Sequence, residues 1–321
     1  MNGGRKKFVA ISGGVGGAKL CLGLANVLEP DEVAFVVNTG DDFEHLGLHI
    51  SPDLDTLMYT LSGLSNPETG WGRQHETWNF IAALEQIGGE TWFSLGDRDL
   101  ATHVGRTQAL KAGGTLSAVT AMLARRLGID HAILPMTDDS VRTVVHTRGG
   151  SLAFQHYFVR DRCEPEVTGF EFRGAENAGL TPEIRQWIAD PELAGVIICP
   201  SNPFVSIDPI LAIAEFREWI GSTPLPVIAV SPIVDGAAIK GPTAKMMREL
   251  DVPTAADAVA HHYADIIDGF IIDNRDADLA PRIAAHGLET TVAQTVMVTL
   301  EDRIELAGAA VEFLRQIRRG K

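Results

Sequence analysis

Short apolar runs recur along this 321-residue chain, each followed by a turn signal and then an amphipathic stretch. The clearest are Phe8–Ser12, Val33–Asn38, Ala132–Met136, Gly195–Cys199, Pro226–Ser231 and Gly269–Asp273. They have strand length and most are rich in Val and Ile, the pattern of strands buried on both faces. Between them lie helix-like segments at Ala18–Leu28, Gln74–Leu84, Thr115–Leu127, Pro209–Ile220 and Leu300–Arg318. This alternation predicts an α/β fold, a doubly wound, mostly parallel, Rossmann-like sheet. Functional loops then belong at the carboxyl ends of the strands. One stretch departs from the rhythm: Val141–Thr147, the Gly149-Gly150 pair and Ser151–Val159 read as a β-hairpin. Residues from about 140 to 180 are therefore expected to form a small inserted β-hairpin or α+β substructure on a single Rossmann-like domain spanning 1–321.

Charge narrows the partners. The chain carries 42 acidic and 27 basic residues, a formal net charge of −15. Such a surface repels nucleic-acid backbone and anionic membrane, so neither is expected as a partner. A local group of Lys, Arg and backbone N–H groups still suits a small anion. The three cysteines, Cys21, Cys163 and Cys199, are widely spaced and odd in number. They read as reduced thiols of a cytoplasmic protein, not as a disulfide framework or zinc site. Met1–Lys7 lacks the apolar stretch of a signal peptide, and no apolar run approaches the ~20 residues of a membrane span.

Candidate chemistry gathers where the strands end. Ser12-Gly13-Gly14-Val15-Gly16-Gly17-Ala18-Lys19 joins the first strand to the first helix. Glycines there let the backbone approach a phosphate, and a helix N-terminus offers free N–H groups and a positive dipole end. The loop is not a Walker A motif: Ala18 precedes Lys19 and Leu20 stands where Ser or Thr would hold magnesium. It is not the dinucleotide fingerprint either, because Lys19 occupies the third glycine position and the second strand ends on Asn38, not an acid. Asn38-Thr39-Gly40-Asp41-Asp42 follows the second strand, and Ser51-Pro52-Asp53-Leu54-Asp55-Thr56 opens another apolar helix-like run. Ser51 or Asp53 could simply cap that helix; equally, carboxylates in such numbers suit magnesium bridging phosphates. In Leu95–His103, Arg98 between Asp97 and Asp99 is either a surface ion pair or a planar donor to a phosphate or ring carbonyl. Three proline-punctuated loops, Cys199–Ile207 with Ser201 and Asn202, Ser231–Gly236 and Lys240–Thr243, complete a polar crevice. The histidines show no metal-ligand spacing, and no nucleophile elbow is present. Glycines, carboxylates, a few cations and small hydroxyls suit phosphoryl-type transfer, which needs positioning and charge neutralisation more than covalent chemistry.

Together these segments resemble the CofD family, the 2-phospho-L-lactate transferases of coenzyme F420 biosynthesis, called FbiA in actinobacteria. The resemblance spans residues 8 to about 245 and rests on Ser12–Lys19, Asn38–Asp42, Ile50–Thr56, Leu95–His103, Pro200–Ile207 and Ser231–Pro242. It implies transfer of a 2-phospholactyl or phosphoenolpyruvyl group from a guanosine diphosphate-linked donor to the deazaflavin Fo, with GMP released. By the same resemblance Gly13, Gly14, Gly16, Gly17, Lys19, Asn38, Asp41, Ser201, Asn202 and Lys240 hold the nucleotide and its phosphates. Asp53 or Asp55, with Arg98, contacts Fo, and Mg²⁺ sits among Asp42, Asp53 and Asp55. The segment Asn66–Glu76, with Trp71 and nearby Trp78, would cover the deazaflavin ring. A homodimer is the expected assembly. The competing reading is a regulatory, nucleotide-sugar-binding protein of the YvcK type, with a similar glycine loop; a dinucleotide oxidoreductase ranks third.

Overall fold

The computed structural model describes residues 6–317. Seven parallel strands form its main sheet: β1 Lys7–Ser12, β2 Val33–Val37, β3 Ala132–Pro135, β4 Leu193–Ile198, β5 Val227–Val230, β6 Gly269–Asp273 and β7 Glu289–Ala293. Their spatial order is β7-β6-β5-β4-β1-β2-β3, so the chain builds outward on one side of β1 and then on the other. Six of these strands coincide with the apolar runs, and the fold is the Rossmann-like α/β sheet those runs predict. β7 was not among them because it reads Glu-Thr-Thr-Val-Ala, and as an edge strand it keeps polar positions half exposed.

Alternation along each strand divides the core. Val9, Ile11, Val36, Val196, Ile198, Phe270 and Ile272 face one side, while Phe8, Ala10, Phe35, Val37, Ile197, Ile228 and Ile271 face the other. Helices must therefore cover both faces. α1 (Gly14–Val27) packs on the second face beside the C-terminal helix Leu300–Gln316, with Gly23 directly beneath the Arg303 carbonyl. α2 (Pro52–Leu61) joins them, and α3 (Asn79–Gln86), α4 (Asp97–Lys111) and α5 (Leu116–Arg126) follow before β3. Arg318, the last residue of the expected C-terminal helix, and Met1–Arg5 lie outside the described residues.

Between β3 and β4 the chain makes a separate three-stranded antiparallel sheet from Arg142–Thr147, Gly150–Ala153 and Val167–Arg173. The hairpin is present, but its second strand ends at Ala153 instead of continuing to Val159. A five-residue π-helix, His156–Arg160, takes over. The expected helix Pro209–Ile220 is two helices, Asp208–Leu211 and Ala214–Ser222, and Gln74–Leu84 moves to Asn79–Gln86. Among the described residues no helix is long and apolar enough to cross a membrane.

Candidate active site

The strand order reverses between β1 and β4, and a crevice forms where adjacent connections leave a parallel sheet in opposite directions. The loops after those two strands meet there. Gly13 N–H donates to Ser201 Oγ at 3.3 Å. A Cβ on Gly16 would run into the Pro200 carbonyl, and one on Gly17 into the hydroxyls of Ser12 and Ser201. Gly14 has φ +64°, a left-handed conformation that opens α1 without a side-chain cap. The first N–H groups of α1 are thus left to the crevice, apart from a bond from Gly14 to Asp53.

The resulting cleft has a volume of about 590 Å³. Its floor is the glycine loop with Ser201, Asn202 and Ser206; its cations are Lys19 and Lys240; its acids are Asp41, Asp53, Asp55 and Asp99. Lys19 Nζ donates to Met297 O at 2.8 Å and Lys240 Nζ to Thr69 O at 2.7 Å, both carbonyls, so both ammonium charges stay available to an anion. Burial, followed by the charges of Arg303 and Lys240, lowers the Lys19 pKa. The outer walls are apolar, with Trp71, Phe93, Phe154 and Phe158. Two π-helices, His156–Arg160 and Pro203–Ile207, border it, and such strained turns are frequent at functional sites.

Asp41 and Asp53 are both buried. Desolvation raises the Asp53 carboxyl to about 6, against hydrogen bonds from Asn38 and Gly14. Asp41 is pushed well above the usual range by desolvation and then by the Asp53 charge. Its Oδ1 finds no partner in hydrogen-bond geometry among the described residues. Two crowded carboxylates beside the glycine loop fit one hard divalent cation, which would neutralise both. Asn38 stands behind them and does not line the cleft; its Nδ2 donates to Asp53 Oδ2 at 3.0 Å and to Val205 O at 3.2 Å.

Known proteins similar in sequence or in fold bear on its identity. A sequence model described as 2-phospho-L-lactate transferase CofD matches residues 8–311. The chain belongs to the CofD family. It is 39% identical to a phosphoenolpyruvate transferase of Kitasatospora aureofaciens, over 98% of this chain and 99% of that protein. It is 35% identical to a 2-phospho-L-lactate transferase of Methanosarcina mazei, over 95% of this chain and 99% of that one. In fold it is similar to a crystal structure of a UPF0052 family member from Bacillus halodurans, with a TM-score of 0.64 at 13% identity, covering 96% of this chain and all of that one.

Measured against the CofD-based expectations, the structure redistributes several side chains. Gly13, Gly14, Gly16, Lys19, Asp41, Ser201, Asn202 and Lys240 all line one cleft; Gly17 packs beneath it. The carboxylates Asp42, Asp53 and Asp55 do not converge. Asp42 Oδ2 accepts from Ser51 Oγ at 2.7 Å, lies 3.0 Å from His49 Nε2, and faces a neighbouring cavity of about 560 Å³ instead. Asp55 is paired with Arg106. The one grouping of three ligand atoms within 4.8 Å among the described residues is Asp55, Asp99 and His103. Because the Arg106 guanidinium already neutralises Asp55, that grouping fits a cation less well than Asp41 with Asp53. Arg98 is exposed and does not line the cleft; its neighbour Asp97 caps α3, accepting from Thr77, Asn79 and Phe80. Trp71 lines the cleft at 54% exposure, whereas Trp78 does not line it. The sequence pattern does not single out Arg106 or Tyr59, and it reads Asp99 as support for a helix dipole and His103 as structural or a hydrogen-bond donor.

Proposed function

We propose that this protein transfers a phosphoenolpyruvyl or 2-phospholactyl group from a guanosine diphosphate-linked donor to Fo, within coenzyme F420 biosynthesis. The observation that carries the reading is the single cleft that joins a glycine-loop phosphate cradle, a buried carboxylate pair and an aromatic outer wall. Six of the relatives at 35–39% identity are phosphoenolpyruvate transferases and two are 2-phospho-L-lactate transferases, which favours the enolpyruvyl donor.

In this mechanism the glycine loop, Ser201, Lys19 and Lys240 hold the diphosphate of the donor. The terminal ribityl hydroxyl of Fo attacks the phosphorus that carries the three-carbon acid. A new P–O bond forms to Fo, the bridging P–O bond breaks, GMP leaves, and the hydroxyl proton passes to solvent or a carboxylate of the cleft. Negative charge builds on the bridging oxygen, where the α1 N–H groups and Lys19 stabilise it. Asp41 and Asp53 would hold Mg²⁺, whose chemistry there is to offset phosphate charge and polarise the phosphoryl oxygens. Asp55 and Asp99 offer acceptors to the hydroxyls of the ribityl chain, and Trp71 and Phe93 offer aromatic surface to the ring.

The test is a transfer assay with purified protein, Fo, Mg²⁺ and synthetic enolpyruvyl- or lactyl-diphosphoguanosine, following GMP and the phosphodiester by mass. Fo-dependent GMP release supports the reading. Binding of guanosine nucleotide without transfer to Fo from either donor would defeat it.

A further inference from the structure

We propose that Arg106 is the positioning residue for the acceptor, fixing the Asp55 carboxylate so that its remaining lone pairs face the hydroxyl groups of the incoming substrate. The inference rests on the transferase reading and adds a residue to it. Arg106 has no exposed surface and does not line the cleft, whereas Asp55 does. Its Nη1 donates to Asp55 Oδ2 at 3.0 Å while Nη2 pairs with Oδ1, a planar fork on both oxygens. Nη1 also lies 3.4 Å from His103 Nδ1 and 3.5 Å from the His49 carbonyl. A fork occupies the two carboxylate lone pairs nearest Arg106 and leaves the others on the far, cleft-lining side.

The same wall fixes a second acceptor. His103 Nε2 is 3.2 Å from Asp99 Oδ2, and Tyr59 Oη donates to Asp99 Oδ1 at 2.6 Å. Asp55 and Asp99 therefore present fixed oxygen acceptors beside one another and beside the aromatic wall. A run of acceptors next to an apolar surface matches a polyhydroxyl chain attached to a flat ring. A lysine at 106 keeps the charge but cannot make the fork. A purely structural ion pair would alter stability when weakened, yet leave the affinities of the folded protein alone.

The experiment compares Arg106→Lys, Asp55→Asn and the double variant, measuring Fo binding by fluorescence, GDP binding, and KM and kcat for Fo. Arg106→Lys should weaken Fo binding and raise its KM at least tenfold, with GDP affinity within twofold of wild type. Because Arg106 acts through Asp55, the double variant should bind Fo no more weakly than Asp55→Asn alone. Wild-type Fo affinity and KM in Arg106→Lys, or additive losses in the double variant, would overturn the proposal. Should Arg106→Lys not fold, the uncharged pair Asp55→Asn/Arg106→Met takes its place, and wild-type Fo binding by that pair overturns it equally. A wild-type protein that binds GDP but no Fo removes the transferase reading itself, an outcome distinct from the other two.

Discussion

Asp53 is the residue where site chemistry and stability oppose each other most directly. Its carboxyl titrates near 6 in the folded chain, mainly because burial disfavours the charge. The unfolded value is about 3.9, so the folded state binds the proton more tightly. The Asp53 contribution is therefore most favourable below pH 4 and is lost as pH rises through 6. Asp53→Asn removes that penalty: its Tm should exceed wild type by a few degrees at pH 8, and the gain should shrink toward zero near pH 4. Equal gains at both pH values would mean that the carboxylate is not strained. The same substitution should abolish transfer, giving a more stable and inactive protein. How far the side chains could be read from sequence follows from similar reasoning. The glycine loop and Asp53 were legible because a strand end followed by a helix start fixes their place. Arg98 was overrated: it lies in the first turn of α4, facing solvent, while Asp97 is spent on capping α3. The signal for the acidic wall of the cleft is the spacing Asp99, His103, Arg106, intervals of four and three that put all three on one helical face. That polar stripe is buried only because Tyr59 and Asp55 of α2 face it, a long-range pairing no local pattern reveals.

Elements explain why the cleft can be both rigid and accessible. Its floor is made by the loops that leave the central strands β1 and β4, and the apolar runs of those strands are plain in the sequence because both faces are buried. Its outer rim belongs to segments without such periodicity. The chain from Asn66 to Gln74 folds back on itself, with Gly70 N–H donating to Asn66 O and Gln74 N–H to Leu64 O. It is tied across the cleft by Lys240 through Thr69 O, with Gly70 against Val15. Trp71 rides on this strap, half exposed over the cleft. Removing it should lower Tm only modestly, since about half of it is exposed, but should remove a stacking surface. With aromatic pairs worth about 0.5–1.5 kcal/mol beyond area burial, Trp71→Ala should raise the KM for Fo roughly two- to tenfold while leaving the KM for the donor alone. An unchanged KM for Fo would place the ring elsewhere. The π-helix His156–Arg160 illustrates the limit of pattern reading: Leu152 and Phe154, then Tyr157 and Val159, each step by two as along a strand. In the fold, Tyr157 is buried in the core while Phe158 and Val159 line the cleft.

For the molecule as a whole, the difficulty for the proposed function is that its anionic donor would bind a chain of net charge −15. The long-range field opposes approach, and four acids line the cleft itself, Asp41, Asp53, Asp55 and Asp99. Lys19 and Lys240 offset part of this, but burial already lowers the Lys19 pKa, and its neighbouring cations add to that effect. Under the proposed function a divalent cation held by Asp41 and Asp53 would restore the charge balance, and binding of nucleotide and metal would then be coupled. A ligand at about 100 times its Kd stabilises the folded state by about 2.7 kcal/mol, which for a chain of this size is a rise in Tm of several degrees. GDP with Mg²⁺ should give that rise at pH 8, GDP with EDTA a much smaller one, and Mg²⁺ alone little. Because Asp53 would have to lose its proton to hold the metal, the difference between the GDP–Mg²⁺ and GDP–EDTA shifts should narrow as pH falls from 7 to 5, on either side of its pKa of about 6. Lys19→Ala should reduce the GDP shift at every pH without removing its Mg²⁺ dependence, since it takes away phosphate contact and leaves the carboxylate pair intact. A GDP shift that is the same with EDTA as with Mg²⁺ would instead mean that Asp41 and Asp53 meet the nucleotide protonated, as hydrogen-bond donors to its phosphates.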